Sequence, residues 1–563
     1  MGRHPRLASG QAVNSKHANV VVVGSGAGGG VVAKELATAG LDVVLLERGR
    51  WVAPSDERKD DLSNQRTSVL GPPYGPDEQK EPRVFVTPEG KEQVVWPADG
   101  QYNNNAACVG GGTVSYGAMA WRFMAQDFRM KSLYGVPEGS TLDDWPITYA
   151  DLEPFYEKAE WEIGVSGDVA PDPFKAPRRR PLPMPPLPDS RETQILKPAA
   201  QRLGWHPFYI PMLRNTVPYN GRSGCMRCRW CCGFGCECDA KNGTQNTVIK
   251  TALASGHCEL RTHCIAANII LDAQGRAKGV EYFDAQNRRQ TQTADVVVVS
   301  GGAIESARLL LNSPSALFPD GIGNRYDWVG RNLQGHAYSG ALGLFDHEVY
   351  DDLGPGAEIA ICDFNHGNPG LIGGMMLANE FCRLPYQVAG MAPPDVPRWG
   401  KAHKDFMRAW FRRSIMIMGP SQEMPVFHSR VQVDPKVRDF WGIPVARLSG
   451  VDHPYNIELC KFASDKAELW LREAGAIQVA RRQKTRQWLS AGQHQAGTCR
   501  MGNDPKTSVV DKHAKLHDVD NLFVIDASVH VTNGGFNPVL TIMAVAYFAS
   551  DFIKRNWKGG GFR

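Results

Sequence analysis

Apolar positions in this chain fall in short dense runs, each broken by a glycine turn. The first run, Val20–Val23, leads into Gly24-Ser25-Gly26-Ala27-Gly28-Gly29, then a helical-looking segment to Ala39 and a second apolar run ending in Glu47. Strand, turn, helix and strand is the order of a dinucleotide-binding unit. Gly24 permits the tight turn, Gly26 lets a pyrophosphate approach the backbone at the helix N-terminus, and Gly29 lets the helix lie close on the strand. An acid about 20 positions on can accept hydrogen bonds from a ribose, and Glu47 holds that place. A glycine turn alone would be weak support; here strand, glycines, helix and acid agree, which outweighs an ordinary strand-to-helix turn.

The same grammar returns later. ADVVVVSGGAIESARLLLNS (294–313) is a buried strand, Gly301-Gly302 and a helix, suited to the interior of a parallel sheet. LFVIDASV predicts another buried strand, and Pro538 to Phe552 a helix packed on it. Between them, residues 258–299 read as strands with a hairpin at Gln274-Gly275. Residues 336–485, with strands such as SRVQVD, predict a second domain on a largely antiparallel sheet. In 146–163, apolar residues at helical spacing predict a helix with Asp151 as its cap. Eight prolines between Pro171 and Pro188 predict an extended connector. A second glycine-rich turn, Gly110-Gly111-Gly112, either packs tightly or offers amides to a ligand.

Composition narrows the classes. The chain has 563 residues, a net charge of +4 and 42% hydrophobic residues, so no nucleic-acid footprint is expected. The longest apolar helix candidate, Val539 to Ala549, falls short of the ~20 residues of a membrane span. The first 20 residues contain no apolar core of a signal peptide, so export, if any, is expected to depend on another chain. Six of the 13 cysteines lie between Cys225 and Cys238, a clustering that points to a metal or iron–sulfur centre over a spread disulfide framework. Cys225, Cys228 and Cys231 have the CxxCxxC spacing of a cluster-wrapping loop, with Cys236 or Cys232 as a further ligand. Zinc, disulfides or free thiols are the alternatives, and Trp230 and Phe234 would shield a cluster or simply pack.

Four blocks in order resemble the glucose–methanol–choline (GMC) flavin oxidoreductases: residues 21–49, 109–122, 296–313, and HQAGTCRMG with VIDASVHVTNGGFNPVLTIMAVA in 494–546. Bacterial sugar and sugar-acid dehydrogenases, such as glycoside 3-dehydrogenase and the large subunit of gluconate 2-dehydrogenase, look most similar. The resemblance implies an α/β fold: a Rossmann-like FAD-binding domain from 17–50, 98–150, 241–335 and 486–563, and an α+β substrate domain on an antiparallel sheet. That second domain and its covering loops would take 51–97, 151–221 and 336–485, with the cysteine segment at 222–240. FAD would contact Gly24, Gly26, Gly29, Glu47, Gly111, Gly112, Thr113, Asp526, Asn537 and Pro538. No histidine occurs in 101–122, where covalent-flavin members carry one, so FAD is expected to be non-covalent.

Oxidising an alcohol removes a proton from oxygen and a hydride from carbon. The flavin accepts the hydride while the protein positions the substrate and takes the proton. His494 matches the family's catalytic histidine, and an imidazole of ordinary pKa ~6.5 suits a base near neutrality. Asn537 matches the second residue of the pair, although Asn537-Pro538 also reads as a helix cap followed by a first-turn proline. The expected function is oxidation of a secondary hydroxyl of a sugar, glycoside or sugar acid. Electrons would leave through a 3Fe-4S or 4Fe-4S cluster to a cytochrome or quinone-linked acceptor. Resemblance further implies a small companion subunit bearing an export signal, a cytochrome c-type partner, and a periplasmic location by co-export, or else a cytoplasmic one. An O2-using oxidase with a structural cysteine segment, and a non-catalytic flavoprotein subunit, are the alternatives.

Overall fold

A computed structural model describes residues 16–57, 59, 74–103, 105–168, 174, 176–390, 392, 395–489, 492, 494–558 and 560–562. The N-terminal stretch, most of the covering segment before Tyr74 and the first prolines of the connector lie outside the described residues.

The four valines form strand β1 (Ala18–Val23), the glycines open helix α1 (Ala27–Ala37), and the second run is β2 (Val43–Leu46). β1 lies between β2 and the long strand Arg289–Val299, parallel to both, with Val20 opposite Val43 and Val296. Cys258–Arg261 extends this sheet beyond β2, and Leu522–Val524 pairs parallel with the upper half of Arg289–Val299. The lower half of that strand pairs antiparallel with Ala277–Phe283, which in turn pairs with Ile265–Leu271 across the predicted hairpin. Val20, Val21, Val22 and Val296–Val299 have no solvent exposure. Continuous valine runs therefore mark strands covered on both faces.

The second sheet is antiparallel throughout. Its order is Gln478–Arg482, His336–Leu344, Ser414–Gln422, Leu377–Asn379, Ile359–Ile361, Phe208–Tyr209, and the helix Tyr455–Glu473 packs on it through Leu459 and Trp470. SRVQVD does not join it. Arg430–Arg438 pairs with Pro444–Ser449, which runs parallel to Arg83–Val86 in a separate four-stranded sheet. Strand alternation could not choose between two available sheets.

The helix Tyr149–Ala159 is capped by Thr148, whose hydroxyl accepts from the Asp151 N–H, while Asp151 returns a bond from the Thr148 N–H at 2.7 Å. Asp151 is therefore the reciprocal partner in a capping box, and the expected cap moves three residues back. Among the described residues, no helix is long and apolar enough to cross a membrane.

Candidate active site

The two sheets face each other across a cavity of about 900 Å³. That is the size of a cofactor-plus-substrate pocket. At one end stands the glycine turn. A Cβ on Gly29 would lie 1.9 Å from the Gly24 carbonyl oxygen, and one on Gly28 would lie 1.9 Å from that of Ile525. Gly24 sits at φ +95° against Ser300, a backbone conformation that side chains resist. Gly26 and Gly112 differ, because a Cβ there would meet nothing within 4 Å and would fill the cavity instead. Open backbone at the N-terminus of α1 is a fitting cradle for a pyrophosphate.

Glu47 is held in place before any ribose arrives. Its Oε2 accepts from the Ser25 N–H and hydroxyl at 3.0 and 2.6 Å, and its Oε1 from the Gly49 N–H at 2.9 Å. One lone pair on Oε1 is left to face the cavity. Ser25 Oγ also accepts from the Gly110 N–H at 3.0 Å, which ties the second glycine turn to the first. Gly111 and Thr113 line the same cavity, as does Pro538. Asp526, likewise lining, receives bonds from the Gly302 N–H, the Ser306 hydroxyl and the Ser528 N–H, so it braces the turn at Gly302.

The opposite end is built of side chains. Asn537 Nδ2 lies 3.0 Å from the Tyr338 hydroxyl and 3.3 Å from His494 Nε2. Asn537 Oδ1 is buried with no hydrogen-bond partner. Asn537 lines the cavity, and because its Oδ1 accepts from no backbone N–H, the competing helix-cap role is not the one its side chain plays. The helix Val539–Lys558 begins here with no acidic residue in its first turn. Its positive end is left available to a ring that gains negative charge. His494 has φ +58°, and its carbonyl accepts from Asn533 Nδ2 at 2.7 Å. Unusual backbone at a non-glycine residue is held only when its surroundings over-determine it.

His336 and Tyr338 were not expected. Both lie on the strand His336–Leu344, where alternate residues share a face. His336 Nδ1 is 2.9 Å from His494 Nδ1, and His336 Nε2 is 2.8 Å from the Gly534 carbonyl. Burial pushes its imidazole down to about 4. The His-x-Tyr spacing was readable in the sequence, but not that this strand crosses the cavity. Phe381, Met416, Met418 and Arg482 complete the substrate side.

The cysteine segment does not close on a metal. Among the described residues, no three His, Cys, Asp or Glu side chains form a set that could hold an ion. Arg214 donates to Cys231 Sγ at 3.2 Å, the Arg227 N–H to Cys225 Sγ at 3.3 Å, and Cys236 pairs with Cys238 at 3.6 Å. Cys232 is buried and lines the main cavity, while Cys228 is exposed. Cys225, Cys228, Cys231 and Cys236 lie near one another around the buried Arg214, without forming a set of ligands for an ion. The hydrogen bond from Cys236 draws the Cys238 thiol down to about 6, and Cys238 is a cysteine that the spacing had not singled out.

Family models described as GMC oxidoreductase match residues 102–338 and 425–546. The chain is similar to 2-methyl-1,2-propanediol dehydrogenase of Mycolicibacterium austroafricanum, at 32% identity over 96% of this chain and 95% of that one. It is also similar to the gluconate 2-dehydrogenase flavoprotein of Pantoea cypripedii, at 27% identity over 96% and 94%. Among solved structures, an R554K formate oxidase of Aspergillus oryzae, described for its FAD modification, superposes with a TM-score of 0.60. That match has 15% identity and covers 97% of this chain and 100% of the other. The chain therefore belongs to the GMC oxidoreductases, FAD-binding enzymes that act on CH–OH groups.

Proposed function

We propose that this enzyme is a dehydrogenase that oxidises a secondary hydroxyl of a sugar, glycoside or sugar acid to a ketone. The observation that carries the reading is the placement of His494 Nε2 and Asn537 Nδ2 3.3 Å apart on the cavity wall. A substrate hydroxyl that displaces this direct contact donates its proton to His494 Nε2, while its oxygen accepts from Asn537 Nδ2. FAD, when bound, supplies the hydride-accepting ring; Gly26 and Gly112 would lie along its backbone-facing side and Glu47 toward its ribose. Tyr338 fixes the Asn537 amide, and the half-buried ring of Phe381 with the buried Met416 and Met418 keeps the reacting carbon out of bulk water. Similarity to a gluconate and a diol dehydrogenase supports a polyhydroxylated substrate.

The onward route of electrons is proposed by class only, as a cytochrome c-type or quinone-linked acceptor, with FAD held non-covalently. A small companion subunit that carries the protein to the periplasm belongs to the same proposal. The cysteine geometry does not fit an iron–sulfur cluster as it stands, so no step is routed through one. The test is anaerobic reduction of purified protein by a panel of sugars and sugar acids, with iron and sulfide analysis of the same sample. Bleaching of the flavin by one of them, with dye reduction and no peroxide in air, is the expected result. Peroxide at the rate of turnover would make the enzyme an oxidase, and no bleaching by any hydroxylated compound would end the reading.

A further inference from the structure

We propose that His336 is a positioning residue that sets the tautomer of His494, keeping a proton on His494 Nδ1 so that Nε2 presents its lone pair to the substrate hydroxyl. The inference rests on His494 being the base and adds what makes it one. The Gly534 carbonyl can only accept, so His336 Nε2, 2.8 Å away, carries a proton. With that nitrogen protonated and burial keeping the ring neutral, His336 Nδ1 is a lone pair. Two Nδ1 atoms 2.9 Å apart then form a hydrogen bond only if His494 is the donor. A neutral His494 that donates from Nδ1 has Nε2 unprotonated.

A second contact agrees from the other side. Asn537 Nδ2 points at His494 Nε2, an arrangement that needs an acceptor there. The opposite tautomer would set N–H against N–H at one nitrogen and lone pair against lone pair at the other. His530 and Asp127, the latter paired with His366, face the buried His336, and Glu423 accepts from the neighbouring Gly335 N–H. Among the described residues, no carboxylate bonds to His336 in the way an acid orients the histidine of many triads. The orienting group is a neutral ring fixed by a backbone carbonyl, so the pair carries no buried counter-charge when resting. During turnover the hydroxyl O–H bond breaks and its proton forms N–H at His494 Nε2; FAD, when bound, would supply the acceptor for the hydride that leaves carbon.

The test compares His336→Leu, His336→Asn, His494→Gln and the double variant His336→Leu/His494→Gln, each loaded with FAD and reduced anaerobically. Loss of the orienting acceptor should slow reduction about 10- to 100-fold in His336→Leu. His336→Asn, whose amide oxygen can still accept from His494, should recover about tenfold of that loss, and the double variant should be no slower than His494→Gln alone. Imidazole 15N spectra of histidine-labelled apoprotein, with the His494 signals assigned by their loss in His494→Gln, give a readout independent of turnover. Wild type and His336→Asn should show a protonated Nδ1 and an unprotonated Nε2; His336→Leu should show mixed tautomers. A wild-type spectrum with the proton on Nε2, equal losses in the Leu and Asn variants, or additive losses in the double variant would each overturn the proposal. Full activity in His494→Gln would instead sink the base assignment, while the spectra would still report on the tautomer.

Discussion

At the nucleotide end of the cavity, binding is left to backbone: Gly24, Gly26 and Gly29 lie within one βαβ unit, and Glu47 closes it. At the catalytic end the contacts are side chains drawn from distant segments, His336 and Tyr338 from one sheet and His494 and Asn537 from the C-terminal region. The first region tolerates little added volume and makes few demands on side-chain chemistry. The second tolerates changes of shape and depends on where individual protons sit. Substitutions should therefore fail differently in the two places, by lost cofactor or fold in one and by lost rate in the other.

The largest effect is expected within the glycine turn itself. In Gly29→Ala the new Cβ would meet a backbone oxygen at 1.9 Å, so the strand and helix must separate. Little soluble flavoprotein should result, as measured by the 450 nm absorbance per chain after purification. Gly26→Ala places its methyl in open cavity, so the fold should survive, with melting temperature unchanged when measured without FAD. Its FAD affinity should fall. Equal behaviour of the two variants would erase the distinction between packing glycines and cradle glycines.

That end was legible because everything that fixes it is local: the turn, the helix and the acid follow one another in sequence. Even there, the reason for Gly28 was hidden, since the carbonyl it packs on belongs to Ile525. At the catalytic end His494 and Asn537 were reached only through resemblance, and His336 and Tyr338 not at all. A residue pair brought together by two sheets leaves no spacing to read. In the cysteine segment spacing was visible but direction was not, and Arg214 beside Cys231 is the kind of competing partner that spacing cannot report.

Next in size come the two side chains proposed to be catalytic. His494→Gln should retain FAD and lower the rate of flavin reduction about 10²- to 10⁴-fold, the usual worth of a general base. Asn537→Ala removes one donor to the developing alkoxide and should cost about 10²-fold in kcat. The variant loses the Nδ2 contacts to Tyr338 and His494 but no helix-capping bond at Oδ1, so thermal stability should fall far less than the rate. Stopped-flow reduction and a melting curve on the same sample check both. A melting temperature that falls in step with kcat would make Asn537 a helix cap after all.

A smaller effect should appear in stability against pH. Burial holds both His336 and His530 near 4, well below the ordinary value of 6.5. Between those two values the unfolded chain binds protons that the folded chain refuses, so stability is complete above pH 6.5 and is lost on acidification toward 4. Each histidine contributes on the order of 3 kcal/mol to that loss. Denaturant melts of the His336→Asn variant between pH 7 and 4 should show a shallower decline than wild type. An unchanged slope would mean that His336 is not neutral in the fold.

The finest test concerns Tyr338, which, like His336, touches no reacting atom in the proposed chemistry. Its hydroxyl receives the Asn537 N–H at 3.0 Å, and its ring centroid stands 5.9 Å from that of His494. In Tyr338→Phe the ring and its packing remain, and the hydroxyl that accepts from Asn537 is lost. A neutral hydrogen bond contributes about 1 kcal/mol, so the amide should wander enough to slow reduction about fivefold. If the substrate's own oxygen takes over the freed N–H, the loss should fall on binding of the hydroxyl and appear in KM. If the amide instead turns its oxygen toward His494 Nε2, lone pair would meet lone pair, and the loss should fall on kcat. Because the proposed tautomer of His494 penalises that turn, a small effect confined to KM is the outcome consistent with His336 and Asn537 acting on one proton from opposite sides.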